Sequence, residues 1–446
     1  MEDLLHYCWK HKLGALARLH TVDGEPVEVI SPGLHNRHAG PDFLNAKVRI
    51  GGTLWVGSVE IHVKASDWFR HRHDADASYG RVILHVVADS DVRIPYPGSS
   101  DELIPQLAWH IPPYVAENYK TLSRVEAFPA CRSVVGTLPR LRVSSWLSAL
   151  SVERLQERET QIMQRLTECG HNWEDALFVT LARYFGFGVN SDAFEMWARH
   201  IPLSAVGKHR DDLHQVEAIF FGQAGMLAVS PFEAAKYKRQ GDDSEERAYF
   251  DRLRREYEYL RHKFSLEPMD ASLWRFLRMR PQNFPTVRIA QLAMLYHEGR
   301  VTLSRLLETP TVEGLREVLQ VHVSDFWTRH YVFTSSPSSF SERPLSVSSL
   351  NLLLINAVAP FVFAYGRYRG DESLSQRALN MLEDLPPESN HYITAWKAVG
   401  ITCRSALDSQ ALLQLTHRYC DPHDCLRCRF GYEYIRSTPT FLCEDN

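Results

Sequence analysis

Between His35 and His85 the chain carries its densest set of groups able to do acid–base, metal or phosphate chemistry. Gly40-Pro41-Asp42-Phe43 is followed, eighteen residues after Asp42, by Glu60-Ile61-His62-Val63-Lys64. Residues two apart in a strand share a face, so Glu60, His62 and Lys64 point one way while Val59, Ile61 and Val63 point to a core. An acid, an imidazole and an amine in a row, with Asp42 on the neighbouring strand, are costly to bury unless they bind something. The chemistry that suits this set is metal-assisted cleavage of a phosphodiester. Asp42 and Glu60 would hold Mg²⁺ or Mn²⁺, which activates water and neutralises phosphate charge. Lys64 would stabilise the transition state, and His62 would act as ligand or base. The plainer reading is the solvent side of an antiparallel sheet, which needs no ligand.

Further polar residues flank this set. His71-Arg72-His73 has the look of a metal pair, but on a helix such spacing puts the two rings on different faces. His71, His73 and Tyr79 are therefore expected at the mouth of the site, touching phosphate. His85, alone in the apolar run Val82-Ile83-Leu84-His85-Val86-Val87, reads as a core histidine with a satisfied hydrogen bond, and His35, Asn36 and His38 as supporting residues. Far along the chain, Leu273 to Arg288 interleaves arginines with aromatics around Pro281 and Pro285. Arg278, Arg280 and Asn283 are its candidates for contact with phosphate and stacked bases; the alternative is a structural loop.

Near the end, Cys420, Cys425 and Cys428 have C-x4-C-x2-C spacing, which supplies three thiolates over one tight turn. A fourth ligand from His417, His423, Cys443 or the distant Cys131 would complete tetrahedral Zn²⁺, and a [4Fe–4S] cluster is the alternative. Such a centre reads as a staple for the tail.

These residues need elements to position them. The first 20 residues have helical periodicity, with Leu4, Leu5, Cys8, Trp9 and Leu13 on one face. Val27–Ile30, Ala46–Ile50, Thr53–Lys64 (with a bulge expected at Gly57) and Val82–Val87 read as strands, and Gly51-Gly52 as a hairpin turn. A helical stretch is expected over 67–79, and an edge strand, a short helix and a linker over 93–135. From Pro139 onward helical periodicity dominates, with helices expected over 143–166, 173–187, 192–200, 245–264 and 287–297. The longest apolar stretch, Leu352–Tyr365, is broken by Asn356 and Pro360 and reads as a buried helix pair rather than a membrane span. The fold class is α+β: a mixed α/β unit over 1–137, then a large all-α domain over 138–446 ending in a cysteine-rich metal-binding tail over 417–443. A net charge of −4 argues against a polycation coating nucleic acid, though not against a local basic groove. The acidic start lacks the features of a signal peptide and the cysteines are sparse, which together suggest a cytoplasmic protein.

The order Pro-Asp, hairpin, then acid and lysine on the next strand resembles the core of the PD-(D/E)XK nuclease superfamily. In that pattern the acid precedes the lysine by two positions; here position 62 is histidine and the acid is Glu60. Some nucleases of that superfamily carry an iron–sulfur cluster with one cysteine before the core and three after it, an arrangement that Cys8 or Cys131 with the terminal trio would mimic. The whole chain also resembles a bacterial family, the domain-of-unknown-function 2851 family. The resemblance rests on Leu4-Leu5-His6-Tyr7 with Trp9-Lys10, Gly40-Pro41-Asp42-Phe43, Val59 through Trp68, Val82 through Val87, Arg280-Pro281 with Asn283-Phe284-Pro285, and the cysteine tail. Two functions follow as expectations. One is a metal-dependent nuclease acting on DNA or RNA, whose helical domain clamps substrate or binds a protein partner. The other is a non-catalytic scaffold that uses the polar face for nucleic-acid or protein contact.

Overall fold

The computed structural model describes residues 2–13, 19–36, 38–97, 102–125, 128–233 and 244–437. The chain forms two compact units. One comprises 1–143, 395–401 and 415–446; the other comprises 144–394 and 402–414.

In the first unit the initial apolar periodicity forms helix α1 (Glu2–His11), which buries Leu4, Leu5, Tyr7, Cys8 and Trp9. Seven strands follow: β1 (Leu19–His20), β2 (Pro26–Ser31), β3 (Leu34–His35), β4 (Phe43–Ile50), β5 (Thr53–Lys64), β6 (Val82–Asp89) and β7 (Gln106–Ala108). They make one sheet of order β1-β2-β4-β5-β6-β7, with β3 paired to β4. β2, β4 and β5 are antiparallel, and β6 and β7 run parallel to β5. Gly51 and Gly52 turn the β4–β5 hairpin with φ of 56° and 86°, values open to glycine without steric cost. The bulge expected at Gly57 lies instead on β4, where the register shifts between Phe43 and Ala46 and Asn45 takes φ 56°. Gly57 has another reason to be glycine: a Cβ there would meet Ile83 Cγ2 at 2.3 Å, so β5 and β6 could not approach.

The β5–β6 crossover is not one helix. It breaks into α2 (Asp67–Arg70) and two 3-10 turns (His73–Ala75 and Ala77–Arg81), with Arg72 between them at φ 61°. Val82 through Val87 are all buried, as a strand covered on both faces requires. Two helices close the N-terminal part, α3 (Pro113–Arg124) and α4 (Arg132–Val135).

The tail expected to end the helical domain clusters with this first unit instead. Asn118 Nδ2 donates to the carbonyls of Tyr434, Ile435 and Ser437 at 3.2, 3.1 and 2.8 Å, and Arg142 pairs with Glu433 at 2.6 Å. Helical periodicity identifies a helix but not the surface it packs on.

The second unit is helical throughout its described residues. Helix α5 (Arg140–Glu168) contains the division between the units. It is followed by α6 (Trp173–Phe185), α7 (Ser191–Arg199), α8 (Leu203–Lys208), α9 (Leu213–Gln223), α10 (Glu245–Phe264), α11 (Pro285–His297) and shorter helices. The apolar stretch expected as a helix pair is one continuous run, Val347–Arg369, because a π turn over Leu354–Val358 carries the backbone past Pro360. By length and a mean hydropathy of 1.8 it could cross a membrane, yet 72% of its apolar window is buried inside the protein, as a core helix would be. Glu217 of α9 is fully enclosed. It accepts hydrogen bonds from Tyr249 Oη at 2.7 Å and Ser324 Oγ at 2.6 Å, and burial raises its pKa to about 7.

Candidate functional site

Strand β5 places Glu60 and His62 on one face, both buried (3% and 1% exposed), beside His85 of β6, the register partner of Glu60. The β4 bulge pairs Phe43 with Val59 and so sets Asp42 next to Glu60. The two acids are locked through the backbone. Asp42 N donates to Glu60 Oε2 at 3.0 Å, and Ile61 N donates to Asp42 Oδ2 at 2.9 Å. Helix α1 adds His6, whose Nε2 lies 3.2 Å from Asp42 Oδ2.

The crossover closes the other side. With Arg72 in the left-handed region, His71 and His73 fold back onto β5 instead of fanning round a helix, and their ring centroids stand 5.5 Å apart. This corrects the expectation that the two rings face apart. His71 Nδ1 is 3.2 Å from His62 Nε2, His62 Nε2 is 3.5 Å from Glu60 Oε1, and Glu60 Oε1 is 3.2 Å from His73 Nε2. One nitrogen from each of His62, His71 and His73 falls within 4.8 Å of the others. Tyr79 stacks on His73 at 3.8 Å, so it fixes the ring rather than waiting for substrate.

Behind the cluster, His62 Nδ1 is 2.9 Å from His85 Nε2, and Gln106 Nε2 is 3.4 Å from His85 Nδ1. Gln106 Nε2 also donates to the Val92 carbonyl, which orients its amide as a donor toward His85. His85 then carries its proton on Nε2 and donates it to His62, leaving the His62 proton on Nε2, toward Glu60 and His71. Burial and then the neighbouring imidazoles push His62 down to about 2, and burial with His73 pushes His85 down to about 4, so both rings are neutral. Burial raises Glu60 above the usual carboxylate range, against the pull of His73. Burial is the largest influence on His6 and lowers it, but the hydrogen bond and charge of Asp42, with the Ile61 carbonyl and Glu2, together carry its net shift upward.

The structure thus brings Asp42, Glu60, His62, His73 and Tyr79 together. Lys64 does not join them: it is exposed at the strand end, where its backbone N–H donates to Asp67 Oδ2 at 3.1 Å. Arg278, Arg280 and Asn283 belong to the second unit. Arg278 and Arg280 are exposed, while Asn283 Oδ1 already accepts from Arg288 Nη2 at 2.7 Å. His6 is the residue that sequence reasoning missed, whereas the sequence reading sets His71 at the mouth of the site. The only signal for His6 was its place on a helix facing the sheet.

A cleft of about 980 Å³ in the same unit has His6 and His35 on its wall. Lys10, Arg427, Arg429 and Tyr432 line it too, with Asp3 and Asp424 as its acids.

No curated protein and no solved structure matches this chain. The family model that does match takes in both acids and all five histidines of the site, but ends before Cys420, so the cysteine tail lies outside the matched residues. On that match, over residues 2–391, the chain belongs to the family described as Protein of unknown function (DUF2851).

Proposed function

We propose that the first unit is a metal-dependent phosphodiesterase of nuclease-like fold, acting on DNA or RNA, with the ion held by His62, His71, His73 and Glu60 beside Asp42. The observation that carries this reading is the donor spacing. Donors ~2.0–2.1 Å from a tetrahedral ion stand ~3.4 Å from one another. The links His71–His62, His62–Glu60 and Glu60–His73 measure 3.2, 3.5 and 3.2 Å. Imidazole-rich donors suit Zn²⁺ better than the Mg²⁺ or Mn²⁺ that two carboxylates alone would favour. Further support comes from topology: helix, three antiparallel strands, a crossover and a parallel strand, with an acid at the start of the second strand and Glu60-Ile61-His62 on the third. In this reading His62, rather than Lys64, stands where the superfamily has its lysine.

A bound ion supplies Lewis acidity and a nucleophilic water at neutral pH. For His62 Nε2 to hold an ion, the His62 proton would have to sit on Nδ1, with the hydrogen bond to His85 Nε2 reversed. Asp42 is fixed by the Ile61 N–H and paired with His6, an arrangement that can accept a proton and pass it toward the cleft. Lys10, Arg427 and Arg429 bring positive charge to an anionic backbone.

The scaffold reading has one observation in its favour: His71, His62, His85 and Gln106 hydrogen-bond in series and satisfy one another without an ion. Cleavage of labelled single- and double-stranded DNA and RNA with Mn²⁺, Zn²⁺ or Mg²⁺ separates the two. We expect metal-dependent cutting that falls ~100-fold or more in folded Glu60→Gln and His71→Ala variants, and that survives in Lys64→Ala. Failure of the folded wild type to cut any substrate with any ion leaves the scaffold reading.

A further inference from the structure

We propose that Cys131, Cys420, Cys425 and Cys428 bind a thiolate-ligated metal centre, a zinc ion or an iron–sulfur cluster, which ties the tail to the N-terminal part of the first unit. This site is separate from the histidine cluster and does not depend on the activity proposed for it.

The backbone brings the four residues to one place. Cys428 caps the helix Arg429–Arg436, and that helix packs on α3 and α4, where Cys131 occupies the N-cap position. Cys425 opens a 3-10 turn over Cys425–Arg427, and Cys420 ends the π turn Thr416–Cys420 that packs against it. The return is tight: a Cβ at Gly431 would stand 2.1 Å from the Cys425 carbonyl oxygen, so only glycine lets the helix close over the cysteine turn.

A second observation points to a ligand. The Tyr7 hydroxyl is buried (the residue is 5% exposed) and has no hydrogen-bond partner. Such an orphan is costly, and it is rare in native structures unless an ion or water completes it. Its electrostatic neighbours include Cys425 and Cys428, which as thiolates would accept its proton. Cys8 lies on α1, whereas Cys131 starts the helix on which Arg429–Arg436 packs, so Cys131 is the better fourth ligand. Among the other candidates, His417 pairs with Asp421, His423 is exposed, and Cys443 lies outside the described residues. None of the four is in a disulfide.

These sulfurs are not among the donor groups drawn within 4.8 Å. Thiolates around one zinc stand ~3.8 Å apart. A set wider than that would have to close around a single zinc, whereas a polynuclear core takes thiolates set further apart. On binding, four sulfur–metal bonds replace four S–H bonds and the protons pass to solvent. A cluster additionally takes up iron and inorganic sulfide.

The test is metal and acid-labile sulfide analysis of the full-length chain purified under reducing, oxygen-free conditions, alongside Cys131→Ser, Cys428→Ser and His71→Ala. We expect zinc without sulfide, or iron with sulfide, in the wild type and in His71→Ala, and at least a tenfold loss when either cysteine substitution is combined with His71→Ala, which removes the histidine-held ion from the count. Where a serine variant fails to fold, the wild type decides: its thiols should resist a thiol reagent until a chelator is added. His71→Ala protein without zinc or iron, or metal retained by folded cysteine variants that also carry His71→Ala, overturns the proposal.

Discussion

Glu217 shows how one enclosed carboxyl sets a pH dependence that has nothing to do with catalysis. Its pKa rises from 4.5 to about 7 because burial outweighs the hydrogen bonds from Ser324 and Tyr249. The folded chain therefore keeps a proton that the unfolded chain releases across this interval. Stability is whole below the interval and falls as pH rises through it, by about 3 kcal/mol for the 2.5-unit shift. Replacing it as Glu217→Gln should flatten the melting temperature between pH 5 and pH 8, which differential scanning calorimetry can follow; an unchanged slope would place the titrating group elsewhere. The legible part of the candidate site lies at this scale. Asp42, Glu60 and His62 were readable because a strand has period two and Pro-Asp precedes it. Lys64 was misread because the same period cannot say where the strand runs out into solvent.

At the scale of elements, the site depends on the break in the crossover. Arg72 holds a left-handed conformation that costs most residues ~1–2 kcal/mol, and this turn brings His71 and His73 to the same side. Arg72→Gly should keep the donor set and raise stability by about 1 kcal/mol. Arg72→Val should lose ~1–2 kcal/mol, since a β-branched side chain fits that region poorly, and should weaken metal uptake. Parallel thermal unfolding and Zn²⁺ or Mn²⁺ calorimetry read both effects; equal metal affinity in the two variants would sink this account. No sequence period signals such a break. By contrast, the double-glycine hairpin and helix α10 were plain, because the first rests on a local torsion and the second on twenty residues of unbroken pattern. The continuous helix Val347–Arg369 was not, because a π turn absorbs a proline that ordinarily ends a helix.

At the scale of the molecule, the first unit is assembled from three separated stretches of sequence, 1–143, 395–401 and 415–446, and the helical unit takes the stretches between them. The mixed α+β character could be read from composition and period. The return of the tail could not, since it depends on contacts between residues some 300 positions apart. Asn118 bears much of that return, and Asn118→Ala should cost ~1–3 kcal/mol by leaving three carbonyls short of a donor. A thermal shift within a few tenths of a degree of wild type would show that the tail is held by other means. This architecture also gives the protein a calendar. Some 270 residues separate the end of the N-terminal segment from Leu415. At ~5–20 residues per second, translation takes tens of seconds to cover that distance. A ribosome that stalls within it leaves a chain holding Asp42, Glu60 and all five histidines but lacking Arg427, Arg429 and Tyr432 of the cleft wall. The cleft is therefore finished only after its wall over residues 422–432 has been made.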